Sequence, residues 1–367
     1  MQPQAGFTTL AISLLLLAIL SAGSLFMVKA MVAERRLTVN EIEYRLTHAA
    51  AEQGLAEAIA MLQVDPDRQS VANSVAHDLG EVSYQVRIVP HTTLPGMRQL
   101  ESTASMADGA RSRIRLVLAE RSILNPQHAG PNYPLLLANA NTTINGQLQI
   151  VAHQSNTSAF SIWSAGNLNV TGALHTCYLT DYDTATQRCL ISLSQVDALE
   201  DRLEQDTRLQ DADFPADVVR YVFGYGADQE RHLEAMARAE VTDCSAIQRA
   251  GFYIVSGGAS CQLDKIVSSR TAPVILLVKD MAVVAHIPTQ FYGLLVLYGA
   301  SNQTLHFANG SALFGGLVLG PNTTELDGDV TLHFDAEVLC TLSACQPTST
   351  ASQFRLLSVV AGSWHDD

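Results

Sequence analysis

After a short polar opening the chain runs from Phe7 to Val28, 22 residues, without a charge. A helix rises about 1.5 Å per residue, so roughly 20 such residues span a bilayer. The pattern predicts a membrane-spanning helix over 7–28. The helical signal then continues past Lys29. Apolar residues recur at Val32, Leu37, Val39, Ile42, Leu46, Ala50, Leu55, Ile59 and Leu62, a spacing that puts them along one helical stripe. Pro is absent from Phe7 to Val64, Gly54 is the internal weak point, and Asp65–Pro66–Asp67 is expected to end the helix. A continuous helix from Phe7 to Leu62 would be about 84 Å long. Its half outside the membrane would present an apolar stripe that the chain's own globular part or neighbouring copies must cover.

The period then changes from helix to strand. "EVSYQVRIVP" (81–90) alternates Val82, Tyr84, Val86 and Ile88 with polar neighbours, and residues 98–120 read as two strands around Asp108–Gly109, a short-turn hairpin signal. Ile114, Leu116 and Leu118 share one face, and Arg111, Arg113 and Arg115 fall on the wet one. Helix plus small antiparallel sheet is an α+β unit over 65–124, and Asn125–Pro126 to Gly130–Pro131 reads as a linker over 125–132. From residue 133 to 367 the texture is β-rich. Runs such as "APVILLVKDMAVVAHIPTQFYGLLVLYGA" and "TLHFANGSALFGGLVLG" are apolar on both faces and punctuated by Asn, Gly, Asp or Ser. That is the grammar of a parallel β-solenoid, with a β-sandwich as the alternative. A helical insertion over about 179–244 is expected, with one helix at 194–206 capped by Ser194 and a second at 228–240.

Composition narrows the function classes. The chain has 367 residues, 47% hydrophobic and 16% charged, with a net charge of −14. It is globular rather than disordered, and its acidity argues against binding nucleic acid by overall charge. The six cysteines, Cys177, Cys189, Cys244, Cys261, Cys340 and Cys345, all follow the apolar segment and include no CxxC pair. They read as disulfide candidates in an oxidising compartment; fifteen pairings are open, and the sequence-local one is the simplest. Asp181 and Asp183 are weak Ca²⁺ candidates, too few for six to eight oxygen ligands. His175, His286, His306 and His333 lie in apolar runs without a metal-ligand spacing. Neither a GxSxG, a P-loop nor a GxGxxG pattern occurs. No cofactor, metal or catalytic residue is assigned, and the chain is expected not to be an enzyme.

The opening "MQPQAGF" followed by the apolar span and long helix resembles a type IV prepilin, and "AAEQGLAEAIAML" (50–62) resembles the N-terminal region of PilX-type minor pilins. The stretch from "VILLVKD" to "VTLHFDAEVL" is similar to the C-terminal part of large proteins of that type. The resemblance implies a leader over 1–6, a pilin-type helix over 7–64, cleavage between Gly6 and Phe7 by a prepilin peptidase, and N-methylation of Phe7. Major pilins carry a glutamate as the fifth mature residue; here that position is Ala11. A buried ammonium in an apolar filament core needs a counter-charge, so its absence implies a tip or priming subunit. The expected role is a minor pilin, working with major and minor pilins and the inner-membrane assembly platform, first in the bacterial inner membrane with a periplasmic domain and then at the pilus or cell surface, with adhesion to a surface ligand as one role. Three alternatives stand beside it: a K-like pseudopilin of type II secretion, a membrane-anchored β-solenoid scaffold, and an anchored β-helix acting on polysaccharide. A secretory signal peptide cut near Ala22 fits less well, because the leader has no Lys or Arg. Lys29, Arg35 and Arg36 follow the span, and the positive-inside rule alone would prefer the reverse orientation.

Overall fold

The computed structural model describes residues 5–64, 68–77, 80–94, 96–107, 109–125, 127, 133–139, 141–152, 160–203, 206–345 and 350–366. The expected helix stop at Asp65–Pro66–Asp67, most of the linker at 125–132, the turn residue Asp108 and the first four residues of the leader lie outside them. The chain divides into two compact units, Met1–Ala119 with Ser358–Asp367, and Glu120–Leu357.

The first unit begins with α1, a single 60-residue helix over Ala5–Val64. Four antiparallel strands follow: β1 (Ser70–His77), β2 (Gly80–Pro90), β3 (Met97–Met106) and β4 (Arg111–Ser122), in that spatial order. Val82 stands opposite Met106, and Leu100 opposite Leu116. This register brings Val82, Tyr84, Val86, Ile88, Leu100, Ala104, Ile114, Leu116 and Leu118 to one buried face. The last turns of α1 lie across it through Thr47, Ala50, Ala51, Leu55, Ala58 and Leu62, all buried. Apart from the adjacent pair Ala50–Ala51, these recur at spacings of three and four residues, as on the core-facing side of a helix. β1, with its "SVANSVAH" sequence, carries too weak an alternation to be read in advance.

The second unit is built from short strands. β5 (Leu135–Leu137), β6 (Thr143–Ile144), β7 (Gln147–Ala152), β8 (Ile162–Ser164), β9 (Asn169–Val170) and β10 (Ala173–Tyr178) come first. They are followed by β11 (Tyr182–Asp183), β12 (Arg188–Cys189), β13 (Gln195–Val196), β14 (Asp201–Arg202), β15 (Thr207–Arg208), α2 (Val218–Phe223) and α3 (Glu230–Met236). Then come β16 (Ala239–Val241), β17 (Gly251–Val255), β18 (Ser260–Gln262), β19 (Val274–Lys279), β20 (Ala282–Ala285), β21 (Gln290–Tyr298), β22 (Gln303–Leu319), β23 (Thr323–His333) and α4 (Ala336–Leu342).

One ladder of this unit is parallel throughout, in the spatial order β16, β17, β19, β21, β22, β5, β8, β15. Gly251, Val274, Gly293 and Gly315 stand side by side across it, so successive layers are offset by 23, 19 and 22 residues. Alternate residues face two cores. Leu276, Leu295 and Leu317 join one, and Ile275, Leu294 and Val318 join the other beneath Val222 of α2, Leu233 of α3 and Leu342 of α4. Burial on both faces explains why these runs lack polar alternation. Where layers turn together, side chains are excluded: Gly328, Gly146 and Gly172 stack so closely that a Cβ on Gly146 would come within 2.8 Å of the Gly328 carbonyl carbon. The sheet is nevertheless mixed, because β10 pairs antiparallel with β13 and β13 with β14, and β11–β12 forms a separate hairpin.

Two expected helices are corrected. The described residues of 194–206 are not helical. The Ser194 hydroxyl donates to buried Asp206 at 2.6 Å, Asp197 accepts the Leu199 and Glu200 N–H groups at 2.7 and 2.9 Å, and Gln195–Val196 joins β10. Local turn bonding and strand pairing override the helical spacing, and Leu199 is left 93% exposed. The helix expected at 228–240 ends at Met236, because the Arg238 N–H bonds the Phe252 carbonyl at 2.7 Å and the following residues enter the ladder as β16. The chain finishes with β24 (Arg355–Val359) and β25 (His365–Asp366), both in the sheet of β4; His365 stands opposite Arg115. The last ten residues therefore belong to the first unit rather than to the C-terminal β-rich region.

Candidate functional site

α1 changes environment along its length. From Leu10 to Val28 the described apolar side chains are exposed, and the helix is long and apolar enough to cross a membrane. Gly6, Phe7 and Ala11 lie in its first turns. Beyond the uncharged segment, Leu37 remains 69% exposed and Ile42 40% exposed. The stripe read from the sequence is therefore half covered: its C-terminal part packs on the sheet, and its part from Val32 to Ile42 is bare within this chain. Gly54, the apparent weak point, is a point of closest approach. A Cβ there would lie 2.7 Å from Tyr84 Cδ2 and 2.9 Å from Ser102 Oγ. One turn on, Glu57 accepts a hydrogen bond from the Tyr84 hydroxyl.

The cysteines form three bonds, Cys177–Cys189, Cys244–Cys261 and Cys340–Cys345. The first closes the β11–β12 hairpin onto β10. Asp183, in that hairpin, accepts the Ala185 N–H at 3.0 Å and the Thr186 hydroxyl at 2.6 Å. These bonds hold its carboxyl below the usual range and commit its oxygens to the turn. Asp181 contributes its backbone carbonyl to Leu190. Among the described residues no three His, Cys, Asp or Glu side chains are grouped to hold a metal ion.

The histidines separate. His306 meets Asp327 on the neighbouring strand at 2.8 Å, and His175 lies 3.3 Å from the Ser192 hydroxyl. His333 enters an aromatic column. Its ring stacks on Phe314 at 4.6 Å and 7°, Phe314 stacks on Tyr292 at 4.6 Å and 9°, and Tyr182 meets His333 edge-on at 5.0 Å. Burial pushes the imidazole down to about 4, with Arg270 adding to the effect and Asp335 opposing it, so the ring is neutral near pH 7. Beside this column opens a cleft of about 360 Å³, walled by Tyr182, Phe314, His333 and Phe334 and rimmed by Arg270 and Glu337. Sequence reading did not find it, because its walls come from segments as far apart as 179–184 and 333–337. A signal was present: "FYG" at 291–293 and "LFG" at 313–315 put Tyr292 and Phe314 at one position of successive layers.

No family model matches the chain, and no curated protein matches it. Among solved structures it is similar to the crystal structure of the competence-associated pilin ComZ from Thermus thermophilus, with 11% identity over 88% of this chain and 97% of that one and a TM-score of 0.24. A superposition of that quality carries no functional argument.

Proposed function

We propose that the chain is a pilin-like subunit of a type IV filament, held in the inner membrane by the first half of α1 before assembly and bearing its β-rich second unit as an outward-facing domain. One observation carries this reading. α1 is a single 60-residue helix whose exposed apolar stretch runs on without a break, through the bare Val32–Ile42 segment, into last turns that pack on an antiparallel sheet. A membrane anchor alone needs about 20 residues. An apolar stripe that continues past the span and stays bare up to Ile42 calls for partner helices. In the finer form of the proposal Gly6–Phe7 is the processing site, and Ala11, which cannot supply a counter-charge, places the subunit at a tip or in priming, as in PilX-type minor pilins. The offset parallel ladder supports reading the second unit as an irregular solenoid that presents a surface for adhesion or recognition, with no catalytic role.

The test is intact mass and N-terminal peptide mapping of the protein from its native membrane, with and without prepilin peptidase. A mature chain starting at methylated Phe7 only when the peptidase is present is expected. A chain retaining Met1 in both cases, or cut near Ala22, would remove the filament reading.

A further inference from the structure

The chain contains two Asn-Gly pairs, Asn145–Gly146 and Asn309–Gly310, and the fold treats them in opposite ways. The dipeptide has a chemistry of its own. With no side chain on the second residue, the glycine amide nitrogen can reach the asparagine Cγ. The N–Cγ bond forms, the Cγ–Nδ2 bond breaks, and ammonia leaves with the amide proton. Water then opens the cyclic imide at either carbonyl, giving aspartate or its β-linked isomer. The reaction needs a side chain free to swing and a backbone free to bend.

Asn145 has neither freedom. Its Nδ2 donates to Glu325 on β23, and its Oδ1 accepts from the Thr171 hydroxyl just past β9. Its own N–H bonds the Leu326 carbonyl at 2.8 Å, and the Gly146 carbonyl accepts the Ala173 N–H at 2.7 Å. Gly146 sits in the stack of closely packed glycines, where an added Cβ would lie 3.0 Å from the Gly328 nitrogen. This pair moves only if the layers open.

Asn309 stands outside the ladder. β22 pairs with β20 up to Phe307 and with β21 from Ala312 onward, and its register with β23 breaks between Phe307 and Ser311. Ala308, Asn309 and Gly310 are therefore paired with no neighbouring strand. The foot of this bulge is fixed, because the Ser311 hydroxyl donates to the Ala308 carbonyl at 2.7 Å and the Ala312 N–H bonds the Thr289 carbonyl at 2.8 Å. Its crown is open. Asn309 and Gly310 are exposed, and among the described residues no hydrogen bond holds the Asn309 side chain. A Cβ on Gly310 would meet nothing nearer than Pro288 Cβ at 4.0 Å.

We propose that Asn309 is a site of spontaneous deamidation, converting through a Gly310 imide to aspartate and β-linked isoaspartate, while Asn145 is spared. The product carries an added negative charge on the bulge. The isomer also lengthens the backbone there, in a segment that bears no ladder bond, so the layers on either side keep their register. The site belongs to the second unit and stands whether or not α1 enters a filament.

The experiment holds the full chain in detergent under mildly alkaline, warm conditions and follows it by peptide mapping with isomer-resolving chromatography and mass spectrometry. The peptide containing Asn309 is expected to gain about 1 Da and to resolve into two products. Asn145 is expected to react at least about tenfold more slowly, since it must wait for local opening of the layers. The same chain is followed in guanidinium, where both pairs should react at similar rates; that comparison assigns the selectivity to the fold and not to the flanking sequence. Hydrogen exchange on the aged native chain should leave the amides of β20 to β23 as protected as before. Equal rates at the two pairs in the native chain, faster reaction at Asn145, or an Asn309 that stays intact over the time in which the unfolded chain reacts would each overturn the proposal.

Discussion

His333 shows how one residue ties packing to pH. Its ring fills the gap between Phe314 and Tyr182, and burial there holds the imidazole neutral down to about pH 4. In the unfolded chain it protonates near 6.5. As pH falls from about 6.5 to about 4, the unfolded state therefore takes up a proton that the native state refuses, and stability falls by up to about 1.4 kcal/mol per pH unit. Below about 4 both states are protonated and the loss levels off. Asp335 and Arg270 face the same ring with opposing effects, so a single acid curve does not isolate the imidazole. The comparison is therefore made against His333→Phe, which keeps a ring in the column and removes the proton. Urea midpoints measured from pH 7 to pH 4 should show the native chain losing ground to the variant as acid is added. Parallel curves would mean that the imidazole is solvated in the native state.

At the scale of elements, the fit of α1 on its sheet depends on Gly54. Alanine there would add about 1 kcal/mol of helix propensity. Against this, its methyl would press on Tyr84 and Ser102 at 2.7 and 2.9 Å, and overpacking of this kind costs about 1–3 kcal/mol. Gly54→Ala should therefore lower stability by a net amount of about 1 kcal/mol, read as a lower urea midpoint by circular dichroism, and Gly54→Val should lower it further. A stabilised alanine variant would show that helix and sheet are looser than described. The same residue shows what the sequence could convey. As a helix interruption it looked like a defect, and only the neighbouring strands reveal a contact. β2 and β4 were legible because one face is wet, so their alternation survives in the letters. The parallel ladder was legible only as short apolar runs, since burial on both faces erases the period. Residues 194–206 had helical spacing but also Asp197 and Ser194, whose short side chains bond locally and to Asp206; propensity lost to those bonds. The cleft was hidden because its walls are distant in sequence, although Tyr292, Phe314 and His333 are 22 and 19 residues apart, the same offsets that separate the layers they occupy.

For the whole molecule, the open stripe of α1 separates folding from assembly. Leu37 and Ile42 lie past the uncharged segment, and neither is covered within the chain. Substitutions at exposed positions away from packed features usually change stability by less than about 0.5 kcal/mol, so Leu37→Glu with Ile42→Glu should leave the urea midpoint of the purified chain nearly unchanged. If the stripe docks on neighbouring helices, the same pair would bury two uncompensated carboxylates, each a cost of several kcal/mol. The double variant should therefore accumulate normally in the membrane yet be depleted from sheared filaments at least about tenfold, the ratio that corresponds to roughly 1.4 kcal/mol. The pair should also act at a distance from processing: with Gly6 and Phe7 intact, cleavage should proceed as before. Normal incorporation of the doubly charged variant would mean that Val32–Ile42 faces water in the assembled state, and the long helix would then be an anchor and spacer rather than a packing element. Loss of the protein from the membrane fraction itself would instead place the defect in folding, contrary to the exposure of both side chains. Immunoblots of membrane and filament fractions from one culture distinguish the three outcomes.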